Sequence, residues 1–581
     1  MKISSILKKK IKKSLIKSKI KINQKIIIQK NKNDKNGHYQ LNNLYSISNI
    51  NKIDPKIVSQ KIIKNINSKY MIKKINFSKP CFVNIFLSSL WIETTIKKFF
   101  FNKIKKNFKY CTKKRKNVVI DYSSPNMAKS MHVGHLRSTI IGDSTARIME
   151  FYGHNVIRCN HIGDWGTQFG MIIAYLKIIK KEKLSNIKKL SIERIEKIYC
   201  QAKKISLKNK KFLKKTEKYT AKLQQNDKYC YKIWKKIIKL NIKENKKIYK
   251  LLNITLKNKH IIGESFYKKM LPNIMKDLIK KKIAVEKDQK IIVLLKNIKN
   301  RQGKSMGVIL KKNGSFLYSA IDIACMKYRY QILKANIILY YVDSRQKQHL
   351  KQVYKISKIA GYISKKVKIK HNIFGIMLNK QNKPFQTRSG NTIKLSNLIQ
   401  ESIIRAKKII LKKNNQIKKK KLLQLSKTIG IGALKYFDLS KNRITNYVFN
   451  WKNILSFEGN TSLYIQYTYT RIMSILKKDH KNLIKLNNSF KIYNNSETLL
   501  CIKILQFKEI LSQSVKKGEP HLICNYIYEL SSQYSSFYEK YNILNTKNKK
   551  KCITRLKISY IISKILKIGL KILGIKVTKS M

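Results

Sequence analysis

Two histidines set three apart, His132 and His135, flank Gly134, and a mobile cation, Lys129, stands just before them. Imidazoles and an ammonium suit a polyphosphate whose negative charge grows as a bond to phosphorus breaks. If the pair opens a helix, both rings share one face, and the unpaired N–H groups and positive end of that helix favour an anion. Gly134 has no side chain, so a flat group can approach the backbone closely. Three more polar sites lie far along the chain, each at or near the end of an apolar segment. Glu264 follows Ile261-Ile262, Tyr318 and Asp322 stand four apart, and Asp343-Ser344-Arg345-Gln346 follows the run from Ile337 to Val342. By residue type alone, each of the three reads better as a surface cap or turn than as a site.

The elements that must hold the histidines are legible around them. Val118 to Asp121 is an apolar run, the pattern of a strand buried on both faces. Ser123, Ser124, Pro125 and Asn126 form a loop too rich in turn formers to continue it. From His132 the apolar spacing becomes helical, with Val133, Leu136, Ile140, Ile148 and Met149 on one face and Gly153 as a stop. Asn155 to Cys159 reads as a second strand. Strand, loop, helix, strand is a βαβ unit, which places the loop and helix start at the carboxyl edge of a parallel sheet, where ligands bind in open α/β folds.

The chain has 581 residues, enough for several domains, and 129 Lys and Arg against 28 Asp and Glu give a formal net charge of +101. Attraction to a polyanion follows directly, nucleic acid before membrane. Yet the sequence is rich in Lys, Ile and Asn, as expected where A/T-rich codons accumulate, and most of the excess is assigned to that bias. Charge therefore supports a nucleic-acid partner without mapping its surface. The nine cysteines are scattered with no CxxC pair, so neither a zinc site nor a redox couple is indicated, and reduced thiols in a cytosol fit them. No apolar run approaches the roughly 18 residues of a membrane span. The N-terminus is basic with no acid before Asp34, which has the look of an organellar presequence.

The residues around the histidines carry a resemblance. His132-Val133-Gly134-His135 resembles the HIGH signature of class I aminoacyl-tRNA synthetases. Ser123-Ser124-Pro125-Asn126-Met127-Ala128-Lys129 before it, Leu136-Arg137-Ser138-Thr139 after it, and Gly163-Asp164-Trp165-Gly166-Thr167-Gln168-Phe169-Gly170 downstream are similar to arginyl-tRNA synthetases of the bacterial type. The similarity begins at Met1, so the first helix of a folded domain is expected there rather than a presequence. It implies an α/β fold: a Rossmann-like class I catalytic domain, an α+β N-terminal domain and an all-α anticodon-binding bundle. The expected boundaries are 1–115 for the additional N-terminal tRNA-binding domain, 116–400 for the catalytic domain with a helical insertion at about 177–258, and 401–581 for the bundle. No catalytic cluster is visible in the insertion.

The resemblance also assigns residues. Arginine recognition falls on Asn126, Glu264, Tyr318, Asp322 and Gln346, which suits a planar cation with five donors that needs convergent oxygen acceptors. It leaves open which acid faces the guanidinium and which the α-amino group. ATP, taken with Mg²⁺ as substrate, falls on His132, Val133, Gly134, His135, His349, Gln386, Thr387, Arg388 and Ser389. A full KMSKS loop is absent; Lys383-Pro384-Phe385-Gln386-Thr387-Arg388-Ser389-Gly390 stands in its place. Bacterial members often have lysine where this chain has Gln386. In the family, a lysine just before HIGH is thought to compensate, and Lys129 occupies that position. Catalysis is thus assigned to His132, His135, Lys129 and Arg388. Tyr464, Tyr467, Tyr469 and Arg471 are candidates for stacking anticodon bases, although any one tyrosine at helical spacing is more often core.

The expected activity is arginine–tRNA ligation: activation of L-arginine to arginyl-adenylate, then transfer to tRNA(Arg), in the cytoplasm, by a monomer that commonly needs bound tRNA before activation. Two alternatives compete with this reading. A small adenylyltransferase of the same superfamily is disfavoured by chain length and the helical tail. A catalytically impaired, synthetase-like tRNA-binding protein is disfavoured by the retained site residues, with Gln386 as the feature in its favour.

Overall fold

The computed structural model describes residues 2–31, 33–66, 70–98, 112, 114–179, 190–299, 305–312, 314–385, 393–478, 490–544, 546 and 548–578. The first part is α+β. An antiparallel sheet of four strands runs in the order Ile28–Lys30, Tyr39–Leu41, Phe82–Leu87, Ile72–Ser78. The basic N-terminus forms the helix Ile3–Lys17, whose Ile3, Leu7, Ile11 and Leu15 recur every four residues and are buried. Spacing by four puts these side chains on one stripe, which faces the core while the lysines stay outside. The helix is tied to the C-terminal bundle as well, because the Ser4 N–H donates to Glu509 Oε1 at 2.5 Å.

The catalytic sheet is parallel, in the order Lys368–His371, Ile337–Tyr340, Asn117–Asp121, Asn155–Cys159. Register places Asp121 beside both Tyr340 and Cys159, so the loops that follow leave from one edge. The central strand is apolar throughout because both its faces are covered: Val118 and Ile120 join one hydrophobic core, Val119 the other. The helix Val133–Phe151 links two of these strands. Its sequence predicts one apolar face, but it is buried nearly all round, Arg137 and Asp143 included. It packs against the C-terminal helices as well as below the sheet, so it needs no solvent face.

Between residues 190 and 252 three helices run, Ile192–Lys208, Lys210–Gln224 and Lys228–Leu251. Four antiparallel strands between Ala284 and Phe316 follow, which the sequence did not lead us to expect. From Leu395 the chain is mainly helical, with Leu395–Lys413 and Lys419–Leu439 followed, among the described residues, by four long helices between Ser462 and Ile572. Among the described residues, no helix is long and apolar enough to cross a membrane.

Candidate active site

His132 and His135 form a reciprocal cap. His132 is the N-cap of the Val133–Phe151 helix, and its Nδ1 accepts the Gly134 N–H at 3.2 Å. His135 Nδ1 accepts the His132 N–H at 3.1 Å. Two orphan donors of the helix end are satisfied, as Ser and Glu do in an ordinary capping box. The geometry fixes the tautomers: each Nδ1 is an acceptor, so each neutral ring carries its proton on Nε2. Burial lowers the His132 pKa, with the Lys129 and Arg345 charges adding to it. Burial and His132 push His135 down to about 3. The pair are therefore neutral donors rather than cations. Gly134 has a nearer reason than substrate approach, because a Cβ there would lie 2.9 Å from His132 Cε1 and crowd the capping ring.

The cleft in front of this cap, about 1080 Å³, gathers nine of the sequence candidates, while Lys129 and Val133 do not line it. Asn126, His132, Gly134, His135, Glu264, Tyr318, Asp322, Gln346 and His349 all line it. They come from distant parts of the chain. Asn126 is held by pairing with Gly163, on the loop after the Cys159 strand. Asn160 pairs with Ile261, so the chain reaching Glu264 extends the sheet edge by one more segment. Tyr318 and Asp322 do share a helix, Tyr318–Gln331. Gln346 closes a short 3-10 turn capped by Asp343, whose Oδ1 accepts the Arg345 N–H at 2.9 Å.

One corner of the cleft is acidic. Burial, followed by the Asp164 and Asp322 charges, pushes the Glu264 carboxyl up to about 8. Burial also pushes at Asp322, but its hydrogen bond with His349 and the nearby His161 outweigh it and hold this carboxyl below the usual range. His349 Nε2 lies 2.5 Å from Asp322 Oδ2, and His161 Nε2 lies 3.6 Å from Oδ1. The Tyr318 ring meets the His349 ring edge to face, centroids 4.8 Å apart. His349, expected at ATP, thus sits against the acidic corner. Carboxyl groups crowded together in a desolvated pocket favour a cation, and a planar one can meet several oxygens at once.

The remaining phosphate candidates divide. Lys129 is exposed, with Nζ 4.9 Å from the Tyr199 ring centroid. Val133 turns its side chain into the core, and its N–H donates to Ile393 O at 3.0 Å, so neither group faces a ligand. Gln386, Thr387, Arg388 and Ser389 lie outside the described residues. The chain that follows them is anchored at the cap: Leu395 N–H donates to Met131 O at 2.9 Å.

Some contributors had no motif to mark them. Asp121 and Arg329 form a buried ion pair at 2.5 Å that locks the central strand to the Tyr318 helix. The insertion helix Lys210–Gln224 supplies Lys214, Glu217, Lys218, Thr220 and Gln224 to the cleft wall. Its Gln224 amide clamps the backbone of Phe316, accepting its N–H at 3.2 Å and donating to its carbonyl at 3.4 Å. The insertion thus supplies part of the cleft wall.

The anticodon candidates lie on the helix Ser462–Lys478. Tyr467 is exposed, and Arg471 stacks between it and Tyr538, 5.0 and 4.9 Å from the ring centroids. Tyr464 is half-buried against Tyr528. Tyr469 is only 3% exposed and packs in the bundle core, so it offers no face to a base.

Comparison with known proteins agrees with this architecture. Residues 95–451 match the family model "tRNA synthetases class I (R), catalytic domain". Residues 5–87 match "Arginyl tRNA synthetase N terminal domain", and 465–581 match "DALR anticodon binding domain". Proteins named arginine–tRNA ligase from Buchnera aphidicola subsp. Acyrthosiphon pisum and Wigglesworthia glossinidia brevipalpis are 52% and 48% identical, each over 100% of both chains. A crystal structure of arginyl-tRNA synthetase from Plasmodium falciparum matches with a TM-score of 0.84 and 32% identity, over 100% of this chain and 99% of that one. The Thermus thermophilus enzyme shares the fold, with a TM-score of 0.79 at 18% identity over 100% of both chains. From the capped histidine pair to the terminal helices, the chain belongs to the arginyl-tRNA synthetase family.

Proposed function

We propose that the chain is an arginine–tRNA ligase, joining L-arginine to tRNA(Arg) at the expense of ATP. The observation that carries it is the convergence of Glu264, Asp322, Tyr318 and Gln346 on one cleft with the His132–His135 cap. In this reading the acidic corner takes the arginine. Glu264 and Asp322 accept from its charged ends, and Tyr318 shapes the slot. MgATP, the second substrate, lies along the helix end, where the two Nε2–H donors point at its phosphates. The arginine carboxylate then attacks the α-phosphate while Lys129 and Arg388 meet the leaving pyrophosphate. No protein nucleophile is needed, because orientation and charge stabilisation supply the rate. A terminal tRNA hydroxyl next attacks the arginyl carbonyl, breaking its bond to the α-phosphate and releasing AMP, with Tyr467 and Arg471 on the distant helix facing the anticodon. The setting we assign is the cytoplasm, and the working unit a monomer.

Arginine-dependent exchange of pyrophosphate into ATP, run with and without tRNA(Arg), tests the proposal. Exchange with arginine and none with lysine is expected, since a point-like ammonium leaves acceptors unpaired. Tight tRNA binding with no exchange for any amino acid would instead mark a binding protein.

A further inference from the structure

The insertion also reaches the segments that meet at the His132 cap. Glu196, on the helix Ile192–Lys208, has a half-buried side chain, 23% exposed. Its Oε1 accepts the Ser130 N–H at 2.6 Å, and its Oε2 pairs with Lys394 Nζ at 2.9 Å. Ser130 stands between Lys129 and the His132 cap. Lys394 bridges to His132 itself through main-chain pairing. One carboxylate therefore grips both described segments that meet at the cap, at Ser130 before the histidine signature and at Lys394. Three residues along the same helix, Tyr199 lies under the Lys129 ammonium.

The chemistry of these contacts is directional. Burial raises the Glu196 carboxyl, but the Ser130 and Lys394 contacts outweigh it and keep it below the usual glutamate range, hence ionised. A carboxylate fixed by a backbone N–H cannot wander among the abundant surface lysines. An aromatic face holds an ammonium without neutralising it, so its N–H donors stay available to an anion.

We infer that Glu196 and Tyr199 are positioning residues, which set Lys129 and Lys394 against the His132 cap for arginine activation. This rests on the reading that Lys129 meets the phosphates. The test uses the full-length chain with arginine, MgATP and tRNA, and compares Glu196→Ala, Glu196→Gln, Tyr199→Ala, Tyr199→Phe and Lys129→Ala. Single-turnover activation is measured after titration of active sites, together with the thermal midpoint. Glu196→Ala should slow the maximal rate by about tenfold to a hundredfold, the scale of a small misplacement near the chemistry. The arginine KM and the midpoint should stay close to wild type. Glu196→Gln should recover part of the rate, because its amide oxygen still accepts from Ser130, and Tyr199→Phe should recover what Tyr199→Ala loses. A wild-type rate in Glu196→Ala, or a loss that appears wholly as fewer titratable sites, overturns the inference. If Lys129→Ala is slow while Glu196→Ala is not, only the positioning role falls. If Lys129→Ala itself is unimpaired, the reading of Lys129 falls with it.

Discussion

His135 Nδ1 accepts the backbone N–H of His132 at 3.1 Å, and that bond decides which nitrogen of the ring is left to face the cleft. Because His132 Nδ1 is likewise occupied, by the Gly134 N–H, the pair presents two Nε2–H donors with no net charge. The signature is then a helix cap whose two rings line the cleft. Its spacing is set by the cap, since an N3 side chain is the one that can reach back to the N-cap N–H.

His135→Ala should therefore lose two things at once. The cap costs about 1 kcal/mol of stability, and a missing transition-state donor costs about 10²–10³ in the activation rate. Calorimetry and pyrophosphate exchange separate them. Nitrogen-15 NMR of the free enzyme should find both rings protonated at Nε2 only. His135 is pushed down to about 3 by burial and by His132. The unfolded ring titrates near 6.5, so the stability tied to this group is present above about pH 6.5 and is lost as pH falls toward 3.

Arginine binding should depend on pH through Glu264. Its carboxyl, pushed up to about 8 by burial and by Asp164 and Asp322, holds a proton at neutral pH in the free enzyme. A bound guanidinium lowers it, so binding releases a proton. Affinity should rise by up to about tenfold per pH unit approaching 8 and level off above it. Calorimetry in buffers of different ionisation enthalpy reads the proton directly, and Glu264→Gln should abolish the release. In the free enzyme this raised group favours folding below about pH 4.5 and loses that contribution as pH rises through about 8, so Glu264→Gln should raise the thermal midpoint at pH 8.5.

Gly170 marks the crossing of the Thr167–Ala174 helix with the insertion. A Cβ there would sit 2.0 Å from Thr220 Oγ1 and 2.5 Å from the Thr216 carbonyl oxygen. Gly170→Ala must push the Lys210–Gln224 helix away, at a cost of about 1–3 kcal/mol. Gln224 on that helix holds Phe316, two residues before Tyr318. The arginine KM should therefore rise more than the ATP KM in steady-state assays.

The βαβ unit and the terminal helices were legible because apolar spacing and turn residues agreed along them. The hairpin sheet from Ala284 was not. Its turn residues Asp288 and Gln289 adopt φ of +49° and +56° without a glycine to advertise the bend. The Val133–Phe151 helix misled as an amphipathic pattern because it is covered on every side. Tyr469 resembled its exposed neighbour Tyr467 in sequence and differs only by the face it occupies. At the site, Glu264, Tyr318 and Asp322 were found through family resemblance, since their types and spacing alone read as caps and turns. Glu196 and Gln224 carried no signal at all, being single polar residues on Lys-rich helices.

Arg137 and Asp438 form a buried ion pair at 3.2 Å between the first turns of the signature helix and the end of the Lys419–Leu439 helix. Removing one partner leaves a buried charge unpaired, so Asp438→Ala should cost about 3–5 kcal/mol. Replacing both by apolar residues, as in Arg137→Met with Asp438→Leu, should cost less than either single change. Thermal and denaturant midpoints of the three variants check the order.

The acidic corner as the seat of the guanidinium is tested most directly by kcat/KM for charging tRNA(Arg) with arginine in Glu264→Gln and Asp322→Asn. Each loses an ionic acceptor, and each should fall by about 10²–10³ in kcat/KM, the size of removing one charge-assisted contact from a desolvated site. The ATP KM should stay within about threefold, because the proposed phosphate site is the His132–His135 cap and not the acidic corner. Charging at the wild-type kcat/KM in both variants would contradict the account.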